Sequence, residues 1–246
     1  MPAALPPPTF QLEGGRVAPA RVLYGGRPLA VRVRFSAPGP ADVRIQIERR
    51  GGGVARRFDL RAAAPRRLVE IRWDGRGGNG REAREGRYRV RAGRRGGRLR
   101  GIGGFTFRRH VYPVRGRHWF RGAIGRFGAP RSGGRTHEGF DINARCGTPV
   151  VAARVGRVKR RRYDPVLYGN FVIVRSAGER RDSWYSHLRS PARVRRGARV
   201  RTGQRLGSVG ASGNARSVGC HLHFELRGRG GPFDPQPRLR AWDRFS

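Results

Sequence analysis

Apolar and polar residues alternate in several short stretches of the first part of the chain. Every second position is apolar, and arginine, glutamine or glutamate stands between, in residues 31–35, 43–47, 69–73 and 88–90. Glycine-rich segments at 51–53 and 75–80 interrupt the pattern. A period of two residues is typical of a strand with one buried face. Short strands separated in this way predict a β-sandwich.

Near the C-terminus the same alternation puts histidines at the polar positions. Within residues 219–226, one face of the predicted strand carries His221, His223 and Glu225. The other face carries Leu and Phe side chains, which belong on a core. Two imidazoles therefore stand side by side on the face directed away from that core.

Two stretches further upstream bring similar chemistry. His137 and Asp141 are four residues apart in an apolar-polar segment, and His187 lies in a Tyr-Ser-His-Leu segment. Four of the six histidines thus fall in three short strand patterns beside one aspartate. Two histidines and one carboxylate fit a mononuclear zinc site that keeps a position open for water.

These segments resemble the M23 family of zinc metallopeptidases, the LytM and lysostaphin-like peptidoglycan endopeptidases. That family carries His-x-x-x-Asp, a later His before Leu, and His-x-His followed by Phe-Glu, and the chain has all three in this order. The resemblance covers about residues 111–235. It implies that His137, Asp141 and His223 bind one Zn²⁺. It also implies that His187 and His221 flank the reacting water and the scissile carbonyl.

The resemblance implies a zinc endopeptidase that hydrolyses peptide bonds in the stem peptides or cross-bridges of peptidoglycan. Either His187 or His221 would take the proton of the water, and the other would stabilise the developing oxyanion. The alternative is a non-catalytic module that binds the wall or activates another hydrolase. Such proteins typically lose ligands or catalytic histidines, whereas this chain keeps all five.

The predicted fold is all-β in two domains. Segment 73–76 followed by 86–90 resembles the immunoglobulin-like domain of flagellar hook-capping proteins. We therefore expect a proline-rich lead at 1–9 and an immunoglobulin-like β-sandwich at 10–108. An M23-like domain with a mainly antiparallel sheet and an open groove is expected at 109–246.

Two residues on the predicted site strands have open roles. Glu225 shares a face with the histidines, so it either orients a ligand histidine through a hydrogen bond or is a surface carboxylate paired with an arginine. By the same count of two, Tyr185 shares a face with His187. It either lines the substrate groove or packs in the core.

Cys146 and Cys220 are the only cysteines. Cys146 follows the expected ligand Asp141, and Cys220 precedes His221, so a shared metal site would bring the two strands together. A disulfide is then geometrically feasible, and it would indicate an oxidising, extracellular setting. A buried pair of free thiols is the alternative.

Arginine supplies nearly all of the formal net charge of +39, since Lys159 is the only lysine. One interpretation is attraction to an anionic wall polymer; the other is arginine-rich codon usage with the charge spread over solvated faces. Zinc-finger spacings and interleaved aromatic stacking motifs are absent, so no specific nucleic-acid binding is expected.

The sequence shows neither a transmembrane run nor a visible export signal. The residues Met1 to Pro8 lack the charged and apolar regions of a signal peptide. Peptidoglycan as the expected substrate still places the protein outside the cell or in the cell wall.

Overall fold

The computed structural model describes residues 9–244. The chain divides into two compact units, Met1–Arg109 and His110–Ser246. The predicted proline-rich lead at 1–9 lies outside the described residues except for Thr9.

The N-terminal unit consists of strands arranged in two sheets. Its described strands are β1 (Gln11–Ala18), β2 (Arg21–Leu23), β3 (Leu29–Ser36), β4 (Ala41–Arg49), β5 (Val54–Ala63), β6 (Val69–Trp73), β7 (Gly86–Arg94) and β8 (Arg100–Arg108). One sheet has the order β1-β3-β6 and the other the order β2-β8-β7-β4-β5. All these pairings are antiparallel except that of β2 with β8.

The alternating residues of this unit form its core. The apolar positions of β3 and β4 are fully buried, while the arginines between them point outward. Trp73 lies at the centre, with its ring against those of Tyr88, Phe105 and Phe107. The two-residue period thus predicted the buried faces, whereas the immunoglobulin-like character of the unit stays a prediction.

The C-terminal unit is built on one large antiparallel sheet. Its described elements are β9 (His118–Phe120), β10 (Phe140–Ala144), β11 (Pro149–Val151), β12 (Gly156–Asp164), β13 (Gly169–Ser176), β14 (Asp182–Leu188), β15 (Arg199–Val200), β16 (Arg205–Ser208), β17 (His221–Gly228), β18 (Gly231–Phe233) and helix α1 (Gln236–Asp243). The sheet order is β15-β12-β13-β14-β17-β10-β9, with β18 paired to β17. Strands β11 and β16 form a separate pair.

One face of this sheet is covered by the core of the unit. Leu222, Phe224 and Leu226 of β17 are fully buried there, beside the buried apolar residues of β13 and β14. The opposite face of β17 is left for the polar residues, which is where the site lies.

Strands dominate and the described helix is short, so the predicted all-β class is confirmed. Nowhere in residues 9–244 does a helix reach the length and apolarity that a bilayer crossing requires.

A partly buried ion-pair cluster joins the turn after β13 to the start of the C-terminal unit. Glu179 lies 3.1 Å from His110 Nε2, accepts a hydrogen bond of 2.6 Å from Arg181 and lies 3.6 Å from the buried guanidinium of Arg154. Burial alone would raise the pKa of Glu179. The hydrogen bonds from His110 and Arg181 outweigh this effect and lower the pKa to about 2.

This lowered pKa makes the cluster sensitive to acid. The ordinary pKa is near 4.5, so the stabilisation by Glu179 is fully present above that pH and is lost as the pH falls towards 2. We expect Glu179→Gln to reduce the free energy of unfolding by about 1–3 kcal/mol at pH 7. The difference from the wild type should shrink steadily below about pH 4.5, as measured by urea unfolding.

Glu13→Gln is a suitable control, because Glu13 is exposed and makes no ion pair within the described residues. Its effect on the unfolding free energy should be small at every pH. A Glu179→Gln deficit that stayed constant down to pH 3 would contradict the assigned role of the carboxylate.

Candidate metal and active site

The site is built on the pairing of β10 with β17. In this antiparallel register Asp141 lies directly opposite His223, and Asn143 lies opposite His221. The intervening pair, Ile142 and Leu222, is directed to the core and is fully buried. Directly opposed residues have Cβ atoms about 5 Å apart. The register therefore brings a carboxylate against an imidazole.

His137 joins this pair from the loop that precedes β10. Its backbone N–H donates to Ala129 O, and its carbonyl accepts from Gly128 N–H, so two short backbone bonds hold the loop in place. His137 Nε2 then lies 2.8 Å from His223 Nδ1 and 3.1 Å from Asp141 Oδ1. His223 Nδ1 lies 3.0 Å from the same carboxylate oxygen.

One nitrogen of each imidazole, in His137 and in His223, forms a hydrogen bond on the side away from Asp141. These two hydrogen bonds determine how the rings are oriented. His137 Nδ1–H donates to Arg126 O at 2.7 Å, and His223 Nε2–H donates to Glu225 Oε1 at 2.8 Å. The remaining nitrogens are His137 Nε2 and His223 Nδ1, and both are directed towards Asp141. These three ligand atoms lie within 4.8 Å of one another, and all three residues are buried.

The close approach of these acceptor atoms shifts the pKa values of Asp141 and His223. Burial alone would raise the pKa of Asp141, but its hydrogen bonds with His137 and His223 hold that pKa well below the usual range. Burial alone would lower the pKa of His223, but Asp141 and Glu225 together raise it to about 9. The site therefore strongly favours a positive charge between the carboxylate and the rings.

His187 reaches the site through an unusual backbone conformation. Strand β14 pairs with β17 so that Trp184 lies opposite Glu225 and Ser186 opposite His223. Simple alternation would direct the next residue to the core. His187 instead adopts a φ of 60°, in the left-handed region that non-glycine residues rarely occupy. Its ring consequently lies 4.8 Å from the ring of His221.

Tyr185 and His187 therefore do not share a face, contrary to the alternation count. Tyr185 is fully buried and packs on Phe224. Its hydroxyl accepts a hydrogen bond of 2.8 Å from Ala153 N–H. The packing role, not the groove-lining role, is what the structure shows for this tyrosine.

His187 and His221 present the same ring nitrogen to the site. His187 Nδ1–H donates to Ser212 O at 2.8 Å, and His221 Nδ1–H donates to Gly219 O at 2.9 Å. Each ring therefore keeps an unprotonated Nε2, and that of His221 lies 3.8 Å from Asp141 Oδ1. Burial lowers the pKa of both rings, that of His187 to about 3. Both imidazoles are thus held neutral.

Glu225 is a fully buried carboxylate that links His223 to Arg227. Its second oxygen accepts a hydrogen bond of 2.5 Å from Arg227 Nε. Arg227 also donates to Glu138 and to the hydroxyl of Tyr168. Both interpretations of Glu225 therefore hold in part: it pairs with an arginine, but it is buried and holds the Nε2–H of His223.

Some residues of the site carried no recognisable signal in the sequence. A Cβ atom on Gly139 would lie 2.7 Å from the His223 ring, so only glycine leaves room for that ring. Arg121 lies 3.3 Å from His221 Nδ1, and Arg131 lies 3.7 Å from Asp141 Oδ2. One glycine or arginine among so many in this composition cannot be singled out by pattern.

The histidines line an open groove of about 800 Å³. Ile124 and Val218 stand on its rim with more than half of each side chain exposed. Arg135 and Tyr168 lie further along the lining. A cleft that exposes both apolar and charged groups beside the histidines can accept an extended polar chain rather than a compact apolar ligand.

A disulfide fastens the two site strands at one end. Cys146 and Cys220 are bonded, with their Cα atoms 5.3 Å apart, which confirms the predicted pairing over free thiols. Cys146 follows β10, and Cys220 immediately precedes β17. The bond therefore secures the strand pair that positions Asp141, His221 and His223.

Comparison with known protein families supports what this geometry suggests. The family described as Peptidase family M23 matches residues 135–235. This segment of the chain is thus similar to the M23 peptidases. The matched segment contains all five histidine and aspartate residues of the site.

Several curated proteins are similar to part of the chain. The L-Ala–D-Glu endopeptidase of Bacillus subtilis is 34% identical over 123 residues, which cover 46% of this chain and 37% of that protein. The peptidoglycan DD-endopeptidase ShyA of Vibrio cholerae is 40% identical over 96 residues, 39% of this chain and 21% of ShyA. The matches thus span well under half of the length of these relatives.

Two solved structures are also similar to this chain. The catalytic domain of lysostaphin from Staphylococcus simulans is 27% identical, and the match covers 50% of this chain and 92% of that domain with a TM-score of 0.43. A zinc-containing peptidase from Vibrio cholerae is 21% identical, with 85% of this chain and 77% of that chain covered and a TM-score of 0.45.

The disulfide generates a prediction for stability. It joins residues 74 positions apart, so its removal frees a long loop in the unfolded chain. We expect the double variant Cys146→Ser, Cys220→Ser to lose about 2–4 kcal/mol of unfolding free energy in the C-terminal unit. Urea denaturation under non-reducing conditions measures this loss.

Reductant provides the matching control. Dithiothreitol should lower the stability of the wild type to that of the double variant and leave the variant unchanged. Equal stability of both proteins without reductant would show that the bond contributes nothing to the fold.

Proposed function

We propose that the protein is a zinc-dependent endopeptidase that cuts peptide bonds in the stem peptides or cross-bridges of peptidoglycan. The observation that carries the proposal is the convergence of His137 Nε2, Asp141 Oδ1 and His223 Nδ1 on one buried point. The M23 match of residues 135–235 supports the peptidase activity. The endopeptidases among the similar proteins support peptidoglycan as the substrate.

The three converging residues suit a zinc ion chemically. Two imidazole nitrogens and a carboxylate oxygen are the ligand types of catalytic zinc sites, where the protein supplies three ligands. The three acceptors also lie about 3 Å apart in a buried place, where they repel one another unless a cation or proton lies between them. Bound Zn²⁺ supplies a Lewis acid for the carbonyl and lowers the pKa of water to about 7.

His187 and His221 then handle protons. Their Nε2 atoms are free to accept, because backbone carbonyls hold both Nδ1–H groups. One ring takes a proton from the attacking water and delivers it to the leaving amine. The other ring would take a proton from the solvent and donate a hydrogen bond from Nε2 to the oxygen on which negative charge develops, since that charge raises the pKa of the ring again.

The remaining residues orient these groups. Glu225 holds the Nε2–H of His223, which keeps Nδ1 directed at the site, and Arg227 holds Glu225. The groove of about 800 Å³ accommodates an extended peptide across the histidines. The disulfide is consistent with an oxidising location outside the cell, in or near the wall.

The central experiment is the release of muropeptides from purified peptidoglycan. We expect wild-type protein to generate new amino termini, a zinc chelator to abolish this, and added zinc to restore it. His223→Ala should lower the rate by about 10³-fold or more, since it removes a ligand of the group that polarises the carbonyl. Mass spectrometry of the products identifies the bond that is cut.

Variants of the flanking histidines separate metal binding from proton transfer. His187→Ala and His221→Ala should each reduce the rate by roughly 10²–10⁴-fold while zinc content stays at one ion per protein. Zinc-loaded wild-type protein that binds peptidoglycan but releases nothing would overturn the endopeptidase proposal. A non-catalytic wall-binding role would then account for the result.

The link from Glu225 to His223 is testable without any activity assay. Glu225→Gln keeps the shape but weakens the acceptor for His223 Nε2–H, so we expect zinc affinity to fall by about 10–100-fold. Competition with a chromophoric chelator measures the affinity. Glu70→Gln, at a surface carboxylate paired with Arg32 in the N-terminal unit, is the control and should leave the affinity unchanged.

A further inference from the structure

A second cavity lies at the far end of the site strand. It has a volume of about 310 Å³ and lies between the turn at 177–181 and the turn at 228–230. The pairing of β14 with β17 places Asp182 opposite Arg227, so the start of one strand meets the end of the other. The turns that precede β14 and follow β17 therefore lie side by side, and the cavity opens between them.

The lining of this cavity is almost entirely basic. It contains five arginines and a single carboxylate, that of Asp182: Arg175, Arg180, Arg181, Arg227 and Arg229. Strand pairing brings Arg175 and Arg227 to either side of Asp182, and the two turns add the others. A concave surface lined by one sign of charge concentrates ions of the opposite sign.

Three of the arginines already have anionic partners. Arg175 pairs with Asp182, which also accepts a hydrogen bond of 2.9 Å from Lys159. Arg181 pairs with Glu179 at 2.6 Å. Arg227 is bonded to Glu225 and Glu138 on the side of the groove.

The other two arginines are not neutralised. Within residues 9–244, Arg180 and Arg229 make neither an ion pair nor a side-chain hydrogen bond, and both are exposed. One is carried by each of the two turns, and both residues line the cavity. Two guanidinium groups without an anionic partner at one small cavity suit the oxygens of a phosphate or carboxylate, which arginine binds in bidentate fashion.

The cavity is separate from the metal site but lies along the same strand. His223, Glu225 and Arg227 stand at every second position of β17, on one face. At about 3.4 Å per residue, the backbone of Arg227 lies about 14 Å from that of His223. Arg227, with its guanidinium 4.3 Å from the centre of the Trp184 ring, lines the cavity, whereas Glu225, to which it donates a hydrogen bond, lines the groove.

We propose that this cavity is an oxyanion-binding site that holds a phosphate or carboxylate group of the cell-wall material outside the metal site. That the anion belongs to the wall rests on the proposed function; that the cavity binds an oxyanion does not. A polymer anchored here would extend along β17 towards the histidines. Part of the arginine excess then has a function in substrate attachment.

The test is calorimetric titration of the zinc-loaded full chain with inorganic phosphate and, separately, with succinate. We expect saturable binding that is weakened roughly tenfold or more in the double variant Arg180→Gln, Arg229→Gln, since each change removes a charge-assisted hydrogen bond. The matched control is Arg195→Gln, Arg196→Gln. It removes the same charge from exposed arginines outside the cavity and should change the affinity by less than about twofold.

The two probes distinguish the source of the anion. Preference for phosphate indicates a phosphodiester polymer, and preference for succinate indicates the carboxylates of peptide stems; either supports the site. Binding should persist in His223→Ala, because the cavity contains no residue of the metal centre.

Three results would overturn the proposal. One is the absence of saturable binding with either probe. Another is equal weakening in both double variants, which shows only a general effect of net charge. The third is binding that vanishes in His223→Ala but survives in Arg180→Gln, Arg229→Gln, which places the anion at the metal site. None of these outcomes depends on peptidoglycan hydrolysis, so failure here is distinguishable from failure of the endopeptidase proposal.

Discussion

The register of β10 against β17 is the constraint on which the C-terminal unit depends. It puts the carboxylate of Asp141 against the imidazole of His223 in a place where both are almost fully buried. Burying a carboxylate without compensation costs several kcal/mol, so this pair requires partners. His137 supplies one, and a positive charge at the shared point completes the compensation. A shift of β10 by one residue along β17 would direct Asp141 into the core and Ile142 out of it.

The second half of the site depends on a backbone conformation that is unfavourable by itself. A left-handed histidine costs of order 1–3 kcal/mol, and it persists only where the surroundings impose it. Here the backbone N–H of His187 donates to Tyr168 O and its ring donates to Ser212 O. These two bonds hold the strand end in place and direct the ring away from the core. The disulfide beside His221 also holds the site together, because it limits how far β17 can move from β10.

Arginine has two distinct physical roles in this unit. Arg154 and Arg227 are tied to carbonyl or carboxylate oxygens and stabilise buried acids that the fold requires. Arg180 and Arg229 contribute charge without a partner among the described residues, and they are held close together only because two turns meet. The formal charge of +39 conceals this difference, since it counts all arginines alike.

The sequence predicted which residues come together at the candidate site. The alternation of apolar and polar residues over β3, β4 and β17 identifies the buried faces, because successive side chains of a strand point to opposite sides of the sheet. His137, Asp141 and His223 together indicate a metal site, because zinc in proteins is bound by histidine, cysteine and carboxylate side chains. Other features of the site follow from tertiary contacts alone. The φ of His187 reverses the face that alternation assigns to it, and no local pattern encodes that reversal. Likewise Gly139, the burial of Glu225 and the arginine cavity depend on contacts between segments far apart in the chain, which appear only once the strands have paired.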